Sequence, residues 1–138
     1  WPMVQTSDNA TNSTEDDFRQ GMARYKQHDY PRAITHYTKA IRKNPKNPDA
    51  YLLRAQARRY DGDLEGALRD FTAAIRLAPR KAESYYHRAV IRKRNLDLAG
   101  AITDYQRYLE LCDGQCEHDH MEVAQSIRDL KKQANFKE

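Results

Sequence analysis

Small and apolar positions recur along this chain with a fixed period. The most regular of them are Ala33, Ala67 and Ala101, which are equally spaced. A second small position is held by Gly21, Ala55 and Ala89, and a bulky aromatic position by Tyr37, Phe71 and Tyr105. Self-similarity at a period of about 34 residues is typical of helix-turn-helix units that bury their apolar faces only against one another. The pattern therefore predicts a succession of paired helices.

Turn residues divide each unit into two helices. Turns are expected at His28-Asp29, Asp61-Gly62-Asp63 and Asn95-Leu96-Asp97. Pro45 and Pro79 close the first two units, because a proline ring cannot continue a helix. Beyond the third unit, a terminal helix is predicted from apolar residues at helical spacing, which are Val123, Ile127, Leu130 and Ala134. About seven helices are expected in all.

The segment 1–13 differs in kind from the rest, because it is mostly polar and shows no periodicity. We predict a disordered or loosely packed leader over 1–13, with Ser13 or Thr14 capping the first helix. The chain begins with Trp1 rather than Met. This favours an exported, mature chain that has lost its signal peptide. A cytoplasmic chain is the alternative, and the sequence does not decide the compartment.

With these motifs the chain resembles the tetratricopeptide repeat (TPR) family, whose repeats alternate aromatic and small residues and end in proline. The stretches 25–34 and 61–68 look like the family's inter-helix turn and second helix. The resemblance implies an all-α, right-handed α-α superhelix, or solenoid. Three repeats would occupy 14–47, 48–81 and 82–115, followed by a loop and capping helix over 116–138. It also implies an adaptor or scaffold that binds protein, and not an enzyme.

Composition and charge exclude other classes of function. The sequence holds no apolar run near the length of a membrane span, so we expect no membrane insertion. A net charge of +4 without Lys/Arg clusters interleaved with aromatics does not predict nucleic-acid binding. A phosphate-binding Gly-rich loop, a His-Glu-x-x-His helix and a Gly-x-Ser-x-Gly elbow are all missing from the sequence. We therefore predict no catalytic residues and no cofactor.

In the TPR family the concave face is lined mainly by the first helix of each repeat, so the resemblance implies a set of groove residues here. They stand four and three residues apart along each first helix, which places them on one side of it. The nine are Phe18, Met22, Tyr25, Leu52, Gln56, Arg59, Tyr86, Val90 and Lys93. An acidic border is expected from Glu15, Asp49 and Glu83, opposite a basic one at Arg59 and Lys93. Such a groove suits a peptide or helix segment of a protein ligand.

Two alternatives to an open peptide groove remain. Phe18, Leu52 and Tyr86 could pack as core against an adjacent repeat, the leader or the terminal helix. The groove could also be filled by another copy of the chain, which would make the protein a self-associating scaffold and a homo-oligomer.

One TPR subclass holds the acidic C-terminal tails of heat-shock chaperones with a clamp of Lys, Asn and Arg side chains. The corresponding positions here are Phe18, Met22, Leu53, Glu83 and His87. The first four cannot bind a carboxylate, and Glu83 would repel one. We expect no binding of such tails.

Charged residues also repeat. Arg54 and Arg88 match one another, as do Asp70 and Asp104, whereas the first repeat has Gln20 and His36 at these positions. Because the two positions change together, we predict a buried Arg-Asp pair within a repeat. Arg24, Arg58 and Arg92 form a further ladder. We interpret it as structural ion pairing or packing, with anion binding as the alternative.

Two cysteines and two histidines lie close together after the third repeat, at Cys112, Cys116, His118 and His120. Three readings stay open: a zinc site, a short-range disulfide, or free thiols. The Cys-x3-Cys-x-His-x-His spacing matches no familiar zinc motif, so we assign no metal ligands.

Overall fold

The computed structural model describes residues 2–113 and 115–136, with side chains over 13–113 and 115–135. Across these residues the chain forms seven helices and no strand. They are α1 (Pro2–Lys26), α2 (Tyr30–Lys43), α3 (Pro48–Tyr60), α4 (Leu64–Leu77), α5 (Ala82–Arg94), α6 (Leu98–Cys112) and α7 (His120–Phe136). The all-α class and the helix number predicted from the sequence are confirmed.

The helices fall into two compact units, Trp1–Leu77 and Ala78–Glu138. In the first unit α1 packs on α2, α2 on α3, and α3 on α4. In the second unit α5 packs on α6 and α6 on α7. Within each unit, helices that follow one another therefore form hairpins, as the turn signals predicted. The repeat bounds at 14–47, 48–81 and 82–115 remain predictions.

The first helix is longer than the sequence pattern suggested. It begins at Pro2, so the backbone of residues 2–13 is helical and not a disordered leader. Proline is tolerated in a first turn, and no further proline follows it before Lys26, so the helix propagates through the polar segment. Ser13 therefore does not cap α1, and its hydroxyl contacts the Lys43 ammonium group instead. Loose packing of this segment remains a prediction, because side chains before Ser13 lie outside the described part.

The turns within the hairpins repeat in detail. Each contains one residue with positive φ, namely His28 at 60°, Gly62 at 93° and Leu96 at 65°. An aspartate follows each of them and caps the next helix: Asp29 accepts from Arg32 N, Asp63 from Gly66 N and Asp97 from Gly100 N. The same cap therefore recurs once in every repeat. Aspartate suits this position because a short polar side chain can accept a hydrogen bond from the first turn of the helix.

The helix contacts are close because small residues stand where two helices meet. Ala33, Ala67 and Ala101 are fully buried. At Gly21 the space is smaller still, since a Cβ there would lie 2.5 Å from Cε1 of Tyr37. The repeating small residues thus mark the positions at which the two helices of a repeat pack closely, as α1 does on α2.

Buried ion pairs link the two helices of the second hairpin. Arg54 donates from Nε and Nη2 to the two carboxylate oxygens of Asp70, at 2.8 Å each. Arg58 adds a third hydrogen bond to Asp70, at 2.9 Å. The predicted Arg-Asp pair is confirmed, and Arg58 belongs to the same structural cluster.

The third hairpin repeats this cluster. Arg88 donates from Nε and Nη2 to Asp104 at 2.8 and 2.9 Å, and Arg92 donates to the same carboxylate at 3.0 Å. In the first hairpin, where His36 replaces the aspartate, Arg24 contacts Gln27 at 3.4 Å instead. The structural interpretation of the arginine ladder is thus confirmed for Arg58 and Arg92.

Among the helices over the described residues, none combines the length and the apolar character needed to cross a membrane.

Candidate functional site

A small apolar cavity opens in the first unit where α1, α2 and α3 meet. Its volume is about 170 Å³, and it is lined by Met22, Tyr25, Lys26, Tyr37, Leu53 and Gln56. Residues 22, 25 and 26 share one face of α1 because they are three and four residues apart, as are 53 and 56 on α3. Met22 is 45% exposed at the mouth of the cavity. The lining offers apolar contact with few polar groups.

An aromatic cluster borders this cavity. The ring of Tyr25 meets those of Tyr30 and Tyr60 edge-on, at centroid distances of 5.5 and 6.0 Å, and Tyr30 stacks on Tyr60 at 5.7 Å. Burial, and secondly Tyr60, raises the pKa of Tyr25 to about 12. Tyr60 itself is 53% exposed, and the Arg59 guanidinium lies over its ring at 4.8 Å. Tyrosines of this kind, apolar in body and polar at the tip, suit an interface with another protein.

A wider depression of about 640 Å³ lies further along α1 in the same unit. It is lined by Ser13, Thr14, Glu15, Phe18, Lys43, Asn44 and Asn47. Phe18 is half-buried, packs against the core around Ala33 and Tyr37, and precedes Met22 by one helical turn. The face of α1 from Phe18 to Met22 therefore leads from the depression to the cavity.

Of the six groove residues predicted in the first unit, Met22, Tyr25 and Gln56 line the cavity together. Leu52 does not, because it is 8% exposed and belongs to the core. The next residue, Leu53, takes the place in the lining that Leu52 was expected to have. Leu53 was not among the predicted groove residues, although two adjacent leucines on one helix are a signal that only one of them faces the core.

Among the groove residues predicted in the second unit, Tyr86 is covered by side chains of that unit. Tyr86 is covered by His118, whose ring stacks on it at 3.6 Å and an interplanar angle of 9°. Tyr105 and Tyr108 enclose Tyr86 further, at 5.8 and 5.3 Å. Tyr86 is half-buried under these rings. Val90 is half-buried and Lys93 is exposed.

The acidic border predicted at Glu83 is also changed by the loop before α7. Oε2 of Glu83 lies 3.5 Å from Nε2 of His118 and 3.7 Å from Nε2 of His87. Burial, and secondly the charge of Glu117, raises the pKa of Glu83. Glu83 therefore belongs to a cluster with two histidines, whereas Glu15 and Asp49 are exposed as expected.

Cys112 and Cys116 form a disulfide with a Cα–Cα distance of 5.4 Å. Of the three readings left open by the sequence, the disulfide is the one observed. The thiolates are then unavailable as ligands, so a zinc site made of both cysteines with His118 and His120 is excluded in this state.

These features define a class: an all-α protein built of repeated helical hairpins. Two family models match the chain, described as "TPR repeat" over residues 21–58 and "Tetratricopeptide repeat" over residues 52–115. The chain belongs to the tetratricopeptide repeat family, whose members are protein-interaction modules.

Solved structures agree over nearly the whole chain. The first TPR of Spaghetti (RPAP3), bound to the HSP90 peptide SRMEEVD, is 26% identical with a TM-score of 0.79, covering 90% of this chain and 94% of that one. The Arabidopsis OM64 TPR domain is 24% identical with a TM-score of 0.79, covering 90% and 98%. The Yersinia enterocolitica chaperone SycD, in complex with a peptide of the translocator YopD, is 14% identical with a TM-score of 0.83, covering 89% and 95%. The comparison with curated proteins gives no significant match.

Proposed function

We propose that this chain binds a peptide or helix segment of a partner protein and that the cavity at Met22 takes one apolar side chain of that ligand. The observation that carries this proposal is the apolar lining of the cavity beside an exposed methionine. An engineered cavity of about 150 Å³ in another protein holds a benzene molecule. A volume of about 170 Å³ is therefore right for a leucine, methionine or phenylalanine side chain.

One anchor is not sufficient for a specific complex. Burying a single large apolar side chain contributes about 1.5–3 kcal/mol, whereas micromolar affinity corresponds to about 8 kcal/mol. The ligand must therefore make further contacts within the first unit. The exposed ring of Tyr60 and the face of α1 toward Phe18 offer them, because both adjoin the cavity and are partly open to solvent.

The charges around the cavity support a ligand of defined direction. Lys26 lies in the lining and Arg59 is nearby on α3, whereas Glu15 stands at the far end of the α1 face. An acidic residue of the ligand would be favoured near Lys26 and a basic one near Glu15. Such borders contribute more to orientation and association rate than to affinity.

We also propose that the ligand is not an acidic chaperone tail. The positions that bind carboxylates in that subclass are occupied here by Phe18, Met22, Leu53, Glu83 and His87. The first four of these side chains cannot bind a carboxylate. The peptide SRMEEVD is the probe for this, because a similar TPR domain is bound to it. Titration calorimetry should detect no binding, and micromolar affinity would refute this part of the proposal.

The main test is a selection of peptides from a displayed random library on the full chain, followed by calorimetry of the synthetic peptides. Met22→Glu should weaken them at least about tenfold, because the apolar side chain of the ligand would have to displace the hydration of the carboxylate, which costs more than about 1.4 kcal/mol. Met121→Glu is the matched control, since Met121 is 77% exposed on α7. Equal effects of the two variants, or an effect of Met121→Glu alone, would contradict the proposal.

Self-association remains the alternative occupant of the cavity. Sedimentation of the full chain over a range of concentrations separates the two cases. Dimers that Met22→Glu abolishes and Met121→Glu does not would assign the cavity to a second copy. We propose no catalytic activity for the chain.

A further inference from the structure

A carboxylate and two imidazoles converge in the second unit, away from the proposed peptide cavity. Glu83 and His87 are one helical turn apart on α5, and His118 comes from the loop before α7. Oε2 of Glu83 is 3.5 Å from Nε2 of His118 and 3.7 Å from Nε2 of His87. One ligand atom from each of the three residues lies within 4.8 Å of the other two.

Two of these atoms are buried without a hydrogen bond. Within the described part of the chain, neither Oε2 of Glu83 nor Nε2 of His118 has a hydrogen-bond partner. A buried polar atom left in this way is costly, and more so when it is charged. A bound cation would satisfy both atoms at once.

The position of His118 is set by its surroundings. Its ring stacks on Tyr86, and its backbone N–H donates to the hydroxyl of Tyr108 at 3.2 Å. The disulfide between Cys112 and Cys116 closes the loop just before it. The His118 imidazole is therefore held by packing and a covalent link, which is what a ligand site requires.

We propose that Glu83, His87 and His118 bind a Zn²⁺ ion. Zinc takes imidazole nitrogen and carboxylate oxygen at about 2.0–2.2 Å, which puts tetrahedral ligand atoms about 3.3–3.5 Å apart. The separations of 3.5 and 3.7 Å from Oε2 of Glu83 are close to this geometry. The two imidazole nitrogens lie within 4.8 Å of each other and would move closer together around the ion. Magnesium and calcium are disfavoured because they prefer sites made of oxygen ligands.

The zinc ion would join α5 to the loop that covers Tyr86. Three protein ligands leave a fourth position for water or for a side chain from a partner. Since binding to the folded form stabilises it, zinc should raise the thermal stability of the second unit and keep Tyr86 covered. This inference does not depend on the peptide cavity, which lies in the first unit.

The test uses the full chain with its disulfide intact, freed of metal by a chelator and kept without reductant. Calorimetry with ZnCl2 should show one ion per chain and a rise in melting temperature, whereas MgCl2 should show neither. Glu83→Gln and His118→Ala should each weaken zinc binding by at least about tenfold, the loss seen even for groups outside the ligand set. His120→Ala is the matched control, because His120 lies two residues away and is exposed.

Glu83→Gln keeps the size of the side chain, so it tests the ligand without removing packing. Circular dichroism of each metal-free variant shows whether the helices are retained. Absence of zinc binding by the wild type, or zinc binding that Glu83→Gln and His118→Ala leave unchanged, would overturn the proposal. A loss of binding in His120→Ala as large as in His118→Ala would overturn it as well, because it would place the metal on the loop outside the cluster.

Discussion

Replacing Asp70 by alanine should strongly destabilise the protein. The side chain of Asp70 is 5% exposed and accepts three hydrogen bonds, two from Arg54 at 2.8 Å and one from Arg58 at 2.9 Å. The two arginine side chains are only 14% and 22% exposed. Alanine would leave both guanidinium groups in a poorly solvated site without their carboxylate.

The size of the loss in stability depends on the interactions that Arg54 and Arg58 retain. Removing one partner of a buried ion pair costs about 3–5 kcal/mol. Arg54 would retain a hydrogen bond to Thr38 at 3.2 Å, and Arg58 a contact with Asp63 at 3.8 Å. We therefore expect the lower end, a loss of about 3 kcal/mol in the free energy of unfolding. For a chain of this size, this corresponds to a fall in melting temperature of about 10 °C.

Urea and thermal unfolding followed by circular dichroism measure this change. Asp61→Ala is the matched control, because Asp61 is exposed and its substitution should stay within about 0.5 kcal/mol. Asp104→Ala repeats the experiment in the second unit, where the carboxylate side chain is 2% exposed and has the same three hydrogen bonds. A loss of less than about 1 kcal/mol for Asp70→Ala would refute the reasoning, since it would mean that the pair contributes no more than an exposed one.

Three further perturbations test the packing and the loop. Gly21→Ala should destabilise by about 1 kcal/mol in urea unfolding, because the clash with Tyr37 outweighs the gain in helix propensity; a more stable variant would contradict this. Burial raises the pKa of Tyr37 from 10.0 to about 12, so this residue favours folding below pH 10 and the stability is lost as the pH rises toward 12. Tyr37→Phe should therefore unfold at a higher pH in an alkaline titration followed by circular dichroism, and an unchanged or lower midpoint would count against it. Replacing Cys112 and Cys116 by serine should lower the free energy of unfolding by about 2 kcal/mol, because the disulfide closes a short loop. The intact mass of the wild type should increase by two hydrogens on reduction, and equal masses with and without reductant would rule out the disulfide.

Features with a short-range physical cause could be predicted from the sequence. The repeat period locates the helices, because each repeat must supply a small residue at the same close contact. The pairing of Arg54 with Asp70 could be predicted because both positions change together in the first repeat, where Gln20 and His36 replace them. Covariation within one chain thus carried information on a contact between helices.

Features that depend on rotation of a helix or on the path of a loop could not be predicted. Leu52 and Leu53 are adjacent, about 100° apart around the helix, and only the packing of α3 decides which of them lines the cavity. His118 lies far from Glu83 in the sequence, and only the loop after α6 brings the two together. The helical conformation of residues 2–13 was missed because polar helices carry no apolar period.

Methyl NMR can detect directly whether a ligand side chain enters the cavity beside Met22. The chain has three methionines, so labelled methionine methyl groups give a simple spectrum. On titration with a selected peptide, we expect a shift of the Met22 methyl signal and contacts between this methyl group and the peptide, with the Met121 signal unchanged. A peptide that binds while the Met22 signal stays in place would show that the cavity beside Met22 does not hold the ligand.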